Sequence, residues 1–256
     1  MKDQSEYNVR AVERALQILD CFDDENPIRG VSEIAQAVDL HKATTHRIVT
    51  TLLNFGYLER ADDDQRYRLG LRLAGLGFKV IRRMDLRREA IPYMNQLVEQ
   101  WDEVCDLSIF DEGRVFYVEV LRGSHALTIS AAIGQRLPAH CTASGKLFLA
   151  HLPPEELDAM LSKPLYAYTG NTIISPDALH QQFNTIRSQG FSIDDEELEA
   201  GIRAIAAPIR NHTGDMIAAI SIPGPTSRMT DDRIPQITAT LSDTAQAVSH
   251  RMGWKI

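Results

Sequence analysis

The chain has 256 residues, 44% of them apolar, and a net charge of −8. That length allows two domains with their own cores, and no apolar run is long enough to cross a bilayer. Cys21, Cys105 and Cys141 form no CxxC pair, and MKDQSEYNVR lacks an apolar signal core, so the expectation is a cytoplasmic protein with reduced thiols. The acidic total excludes a uniformly basic nucleic-acid binder but not a local one. Residues 1–83 carry 13 Lys plus Arg and 13 Asp plus Glu, so the net negative charge falls on the rest of the chain.

From Asn8 to Phe22, apolar residues recur at Val12, Ala15, Leu16, Leu19 and Phe22. This spacing predicts a helix, with Asn8 as its N-cap. Val31 to Thr51 then reads as a short helix, a tight connection and a second helix, with the motif at 31–50. Ile34, Ala35 and Val38 seal the first helix against Ile48, Val49, Leu52 and Leu53. At about 100° per residue, Thr45, Ile48, Val49, Leu52 and Phe55 share one side of the second helix. Thr44, His46, Arg47, Thr50, Thr51 and Asn54 share the other. No Asp or Glu occurs from His41 to Asn54. A carboxylate-free face with hydroxyls and cations suits a polyanion, so the pattern predicts a helix-turn-helix whose second helix enters a major groove. The candidate contacts are Lys42, Thr44, Thr45, His46, Arg47 and Thr50.

Gly56 closes that helix as a C′ residue. Tyr57 to Arg60 and Arg66 to Leu69 flank the turn Asp62 to Gln65, a hairpin in the place of a wing. Arg66 and Arg68 are its basic groups, and Arg66, nearer the tip, is the better placed for a phosphate or the minor groove. The acidic triplet Asp62, Asp63 and Asp64 counts against deep insertion. Leu69 to Met84 has helical spacing at Leu73, Leu76 and Val80, and is expected to connect two domains and to pair with its copy in a dimer. The expected division is 8–70, 71–84 and 85–254.

The second domain opens with a helix, Leu86 to Trp101. Strands follow at Val104 to Phe110 and Val115 to Leu121, around Asp111-Glu112-Gly113. Ala126 to Ala132 reads as another strand and Ala143 to His151 as a helix. Ser175-Pro176-Asp177 opens a helix that runs to Gln189 and stops at Gly190. Ile202 to Ile209 and Met216 to Ile222 are strands about a turn at 212–215, and Thr230 to Met252 is a closing helix. Hairpins with helices spread between them predict an α+β domain on a largely antiparallel sheet.

VERALQILDCF, VSEIAQAVDLHKATTHRIVTTLLNFGYLER and RYRLGLRLAGLG resemble the start of the IclR family of bacterial transcriptional regulators. IGQRLPAHCTASGKLFLAHLP, GFSIDDEELEAGIRAIAAPIRN and AAISIPGPTSRMT resemble its effector-binding domain, in order, and the likeness spans roughly residues 8 to 250. The resemblance implies a winged helix-turn-helix joined by a helix to a GAF-like α+β domain. It implies a repressor or activator of a catabolic gene cluster, not an enzyme. The partners implied are double-stranded operator DNA and a second copy of the chain, as a dimer or a dimer of dimers, with no membrane. No cofactor or metal is expected beyond a small effector, a carboxylic acid.

For the effector, the resemblance brings three segments together. Thr142, Ala143 and Ser144 lead into a helix whose open N–H groups suit a carboxylate. Asp194 faces inward from a strand end, while Asp195, Glu196, Glu197 and Glu199 are expected on the surface. Ala204, Ser221 and Pro223 lie on the last hairpin. The family often has Cys where this chain has Ala204 and Ser where it has Pro223, so both changes remove polarity and favour a larger, partly apolar or aromatic acid. Leu127, Ile129, Phe110 and Tyr117 are candidates for an apolar wall. The rival reading is an enzyme using His140 and Cys141, with Ser144 and Lys146 nearby. Adjacent residues point apart, which disfavours it. A metal at His140, Cys141, His151 or Asp194 lacks HxxxH or CxxC spacing.

Overall fold

A computed structural model describes residues 9–23, 25–61, 65–82, 84–125 and 129–255. They fall into two compact units that divide between residues 83 and 84.

The first unit begins with helix α1 (Arg10–Asp20), entered through Val9; Asn8, the expected cap, lies outside the described residues. A short strand β1 (Arg29–Gly30) leads into α2 (Val31–Ala37). Asp39 takes φ +49° in the turn, a conformation that Asp tolerates better than most residues, and α3 (Lys42–Asn54) follows. Gly56, at φ +74°, lets its own N–H reach Leu53 O and that of Tyr57 reach Leu52 O, a Schellman close. Strands β2 (Leu58–Arg60) and β3 (Arg66–Leu69) form the hairpin, and β1 adds to β3 in an antiparallel sheet of order β1-β3-β2. The core is Ile18, Phe22, Ile34, Val49, Leu52, Leu58 and Tyr67. Phe55 was expected to face it but is 59% exposed, because it sits at the C-cap, where the chain leaves the helical path. Helix α4 (Leu71–Arg82) closes the unit with Leu71, Leu76 and Val80 exposed.

The second unit starts with α5 (Asp85–Trp101), then β4 (Cys105–Asp111) and β5 (Arg114–Leu121). The expected strand at 126–132 is not seen in its described part. Residues 129–132 carry no regular structure and 126–128 lie outside the described residues. The chain pairs instead at β6 (Arg136–Pro138), after Gly134 turns at φ +89°. Helices α6 (Ala143–His151), α7 (Pro154–Leu161) and α8 (Pro176–Gln189) follow. Then come β7 (Ser192–Asp195), β8 (Ile202–Arg210), β9 (Met216–Pro225) and α9 (Ile234–Arg251). The six strands pair antiparallel in the order β6-β5-β4-β9-β8-β7.

Strand alternation divides the interior in two. Cys105, Leu107, Ile205, Ala207, Ile209, Ala218, Ile220 and Ile222 join the core shared with α5 and α9. Ala204, Ala206 and Ala219 turn to the other face, against α6 and α8. Their small side chains let α6 lie close to the sheet. Gly145 lets the loop before α6 fold back against the helix, since a Cβ there would stand 2.3 Å from Ala139 O. The site of interest lies between this face of the sheet and the start of α6.

Candidate functional site

On α3, Lys42, His46, Arg47 and Thr50 are exposed and Thr44 is half-buried. Among the described residues Lys42 and Arg47 make no ion pair, so both charges are open to a ligand. Thr45 corrects an expectation. It is fully buried and its hydroxyl donates to His41 O at 3.2 Å, so it packs the helix rather than reading DNA. The hydroxyls of Thr50 and Thr51 also donate inward, to His46 O and Arg47 O, leaving a methyl and an acceptor oxygen facing out. The hairpin differs. Arg66 donates to Ile28 O at 3.0 Å and pairs with Glu33 at 3.4 Å, and Arg68 pairs with Glu59 at 3.7 Å.

In the second unit a cavity of about 300 Å³ opens beneath the start of α6. Its floor is set by register. Asp194, Ala204 and Pro223 face one another across β7, β8 and β9, and Ala206, Ser221 and Asp106 do so across β8, β9 and β4. Its roof is the helix start. The Thr142 hydroxyl accepts the Gly145 N–H and donates to Pro138 O at 2.8 Å. The first intrahelical bond to a backbone carbonyl is Lys146 N–H to Thr142 O, which leaves the Ala143 and Ser144 amides ahead of it. The Ser144 Oγ is buried without a partner among the described residues.

Ile129, Thr142, Ala143, Ser144, Asp194, Ala204, Ser221 and Pro223 all line this cavity. Leu127 lies outside the described residues. Phe110 does not join the wall. It stacks on Phe148, with ring centroids 5.5 Å apart, at a separate cavity. Tyr117 does line the site, and burial pushes its phenol up.

Two acids show what the interior does to charge. Burial pushes Asp106 up to about 7, although the Ser221 hydroxyl, 2.5 Å from its Oδ1, pulls the other way. Burial pushes Asp194 up to about 7 as well, against the Glu197 N–H that it accepts at 2.7 Å. The described wall holds no Lys, Arg or His. Sequence reasoning missed Asp106. The signal available was a lone acid in an apolar alternating strand, CDLSIF. Glu197 corrects a second expectation. It is not on the surface but buried, ion-paired with the fully buried Lys146, whose Nζ also donates to Ile193 O at 2.6 Å. Asp195 does lie outside, on Arg203.

The residues of the rival reading do not assemble. The His140 ring bonds Tyr166 O at 2.8 Å, and burial pushes the Cys141 thiol up to about 12, away from a reactive thiolate. His151 bonds Leu147 O and Arg210. Among the described residues no three His, Cys, Asp or Glu converge to hold a metal.

The description "IclR helix-turn-helix domain" matches residues 11–62, and "Bacterial transcriptional regulator IclR C-terminal" matches residues 78–250. The chain belongs to the IclR family. It is 34% identical to the HTH-type transcriptional regulator XynR of Escherichia coli over 247 residues, 96% of this chain and 98% of that one. It is 32% identical to the transcriptional repressor IclR of the same organism, covering 96% and 90%. Among solved structures, an IclR homolog complexed with 4-hydroxybenzoate from Microbacterium hydrocarbonoxydans superposes with a TM-score of 0.81. It is 28% identical and the match covers 94% of this chain and 98% of that one. A regulator from Rhodococcus sp. RHA1 gives a TM-score of 0.82 at 34% identity, covering 96% and 98%. This IclR-family chain is a transcriptional regulator with an N-terminal helix-turn-helix and a C-terminal effector domain. Among its described residues no helix is long and apolar enough to cross a membrane.

Proposed function

We propose that the chain regulates a catabolic gene cluster and that a small organic acid, aromatic members included, sets its affinity for a two-fold operator. The observation that carries this reading is the helix start above the cavity. There the Ala143 and Ser144 amides and a Ser144 hydroxyl without a partner among the described residues meet a mixed wall, with Ile129, Leu137 and Ala204 beside Asp106, Asp194 and Glu199. A helix N-terminus favours a carboxylate, and the described wall holds no Lys, Arg or His. The chemistry of 4-hydroxybenzoate, held by the Microbacterium relative, fits these requirements. The reading head is α3, with Lys42, Thr44, His46, Arg47 and Thr50 facing the groove, and Arg66 and Arg68 beside it. Leu73, Leu76 and Val80 share one side of α4, with Leu76 and Val80 exposed, which supports a homodimer or a dimer of dimers.

A ligand changes DNA affinity only through unequal affinity for two states, with coupling of typically about 1–3 kcal/mol. Ser144→Leu should fill the cavity and leave α3 untouched. Operator binding should persist while 4-hydroxybenzoate and related acids lose their effect, read by fluorescence anisotropy on labelled operator. A variant that still responds would move the effector site elsewhere.

A further inference from the structure

Asp106 lies on the cavity wall with half of its carboxyl unpaired among the described residues. It is fully buried on β4, between Cys105 and Leu107, which face the opposite core. Its Oδ1 accepts the Ser221 hydroxyl at 2.5 Å, and its Oδ2 has no partner among the described residues. Ser108, two residues on, directs its own hydroxyl to Ala219 O. Nearly all buried polar atoms of folded proteins are paired, so an orphaned carboxyl oxygen on a cavity wall is completed by what enters.

We propose that Asp106 selects effectors that carry a hydroxyl as well as a carboxylate, with the hydroxyl seated on Oδ2. This rests on the reading of the cavity as an acid-binding site. The carboxylate is assigned to the α6 amides and the hydroxyl to Asp106, both on the wall of this one cavity. A hydroxyl meets either form of Asp106, because it donates to the carboxylate and accepts from the carboxylic acid. A C–H in its place leaves Oδ2 unpaired in the closed site. Sites built to bond a hydroxyl reject the analogue that lacks it, because their own polar group is stranded. An ammonium also answers a carboxylate. It meets only the ionised form, however, and burial pushes the Asp106 carboxyl up, toward the neutral form.

The test is calorimetry on the full chain with matched acids: 4-hydroxybenzoate against benzoate, and mandelate and para-hydroxyphenylacetate against phenylacetate. At least one hydroxy acid should bind tighter than its deoxy partner by about tenfold or more. In Asp106→Ala that ratio should fall by about threefold or more while operator affinity stays the same. If every ratio in the parent is below tenfold, or if the ratio survives in Asp106→Ala, selection by Asp106 is wrong and the acid reading stands. If phenylalanine binds tighter than every hydroxy acid, the group on Asp106 is an ammonium and the proposal is wrong. If no acid binds, the reading of the cavity fails and takes the proposal with it. The parent's ratios decide the case should Asp106→Ala fail to fold.

Discussion

Helix α3 keeps Lys42, His46 and Arg47 in water and buries Thr45, Val49 and Leu52, whereas α6 buries every residue from Ala143 to Ala150, Lys146 included. Both helices are short, and both are proposed to meet a negatively charged partner. They do so under different dielectric conditions. On α3 a charge costs nothing to hold and acts on DNA by replacing counterions. Around α6 a charge must be paired or neutralised, so Lys146 is bound to Glu197, and Asp106 and Asp194 are held toward their neutral forms. A substitution on α3 should therefore change binding without changing folding, and one around α6 should change both.

The largest separation is expected at Lys146. Lys146→Met strands Glu197, whose Oε2 already lacks a partner. Breaking a buried pair on one side costs roughly 3–5 kcal/mol, while replacing both partners by apolar groups is often near neutral. Both tryptophans, Trp101 and Trp254, lie in the second unit, so their fluorescence follows its unfolding in urea. The single variant should lose most of that stability and Lys146→Met with Glu197→Leu should recover much of it. A single-variant loss below about 1 kcal/mol would mean that water reaches the pair.

Next comes pH. For Asp106 and Asp194 the folded pKa lies above the ordinary carboxylate value, so each contributes stability below about 4 that is lost as pH rises through about 7. His151 is shifted down by burial and works in the opposite sense near its ordinary value. The tryptophan-monitored stability of the parent, minus that of Asp106→Asn, isolates one acid. That difference should decline by a few kcal/mol at most between pH 5 and 8. A flat difference would place Asp106 in water. Because neither tryptophan lies in the first unit, the stability of Arg47→Ala is read from helix content by circular dichroism in urea, and it should match the parent's. On operator DNA, however, that variant should lose about 1–3 kcal/mol and relax specificity at one base. Equal loss on random DNA would mean that Arg47 binds a phosphate.

These two regions were not equally legible in the chain. The periods of α1 to α3 and the glycine after α3 are local, and α5, α6 and α8 are likewise bounded by caps within a few residues. The surface of α3 followed from its period alone, except at Thr45, where a residue name suited to a groove outweighed its place on the buried side. The cavity depended on register. Asp106 meets Ser221 across 115 positions, a pairing that strand order alone creates. Four of the five carboxylates in residues 194–199 read as solvent-facing, yet the loop turns Glu197 inward to a lysine 51 positions away. Residues 129–132 have strand composition but find no partner strand.

The smallest expected effect lies at Arg66, where the two regimes meet on one residue. It is half-exposed like the cations of α3, yet it is already held by Ile28 O and Glu33. Glu33 in turn accepts the Gly30 N–H at 2.6 Å and so secures the start of α2. A phosphate that takes Arg66 must displace or share that carboxylate, and much of what is gained on DNA is given up at Glu33. Lys42 has no such rival among the described residues. Removing either cation should make the dependence of log affinity on log salt shallower by about 0.9 for each phosphate that is no longer neutralised. At a fixed salt concentration Lys42→Ala should weaken operator binding more than Arg66→Gln does. An unchanged slope in Arg66→Gln would mean that Arg66 serves only to brace α2. An affinity loss as large as that of Lys42→Ala would mean that Glu33 releases it freely on DNA.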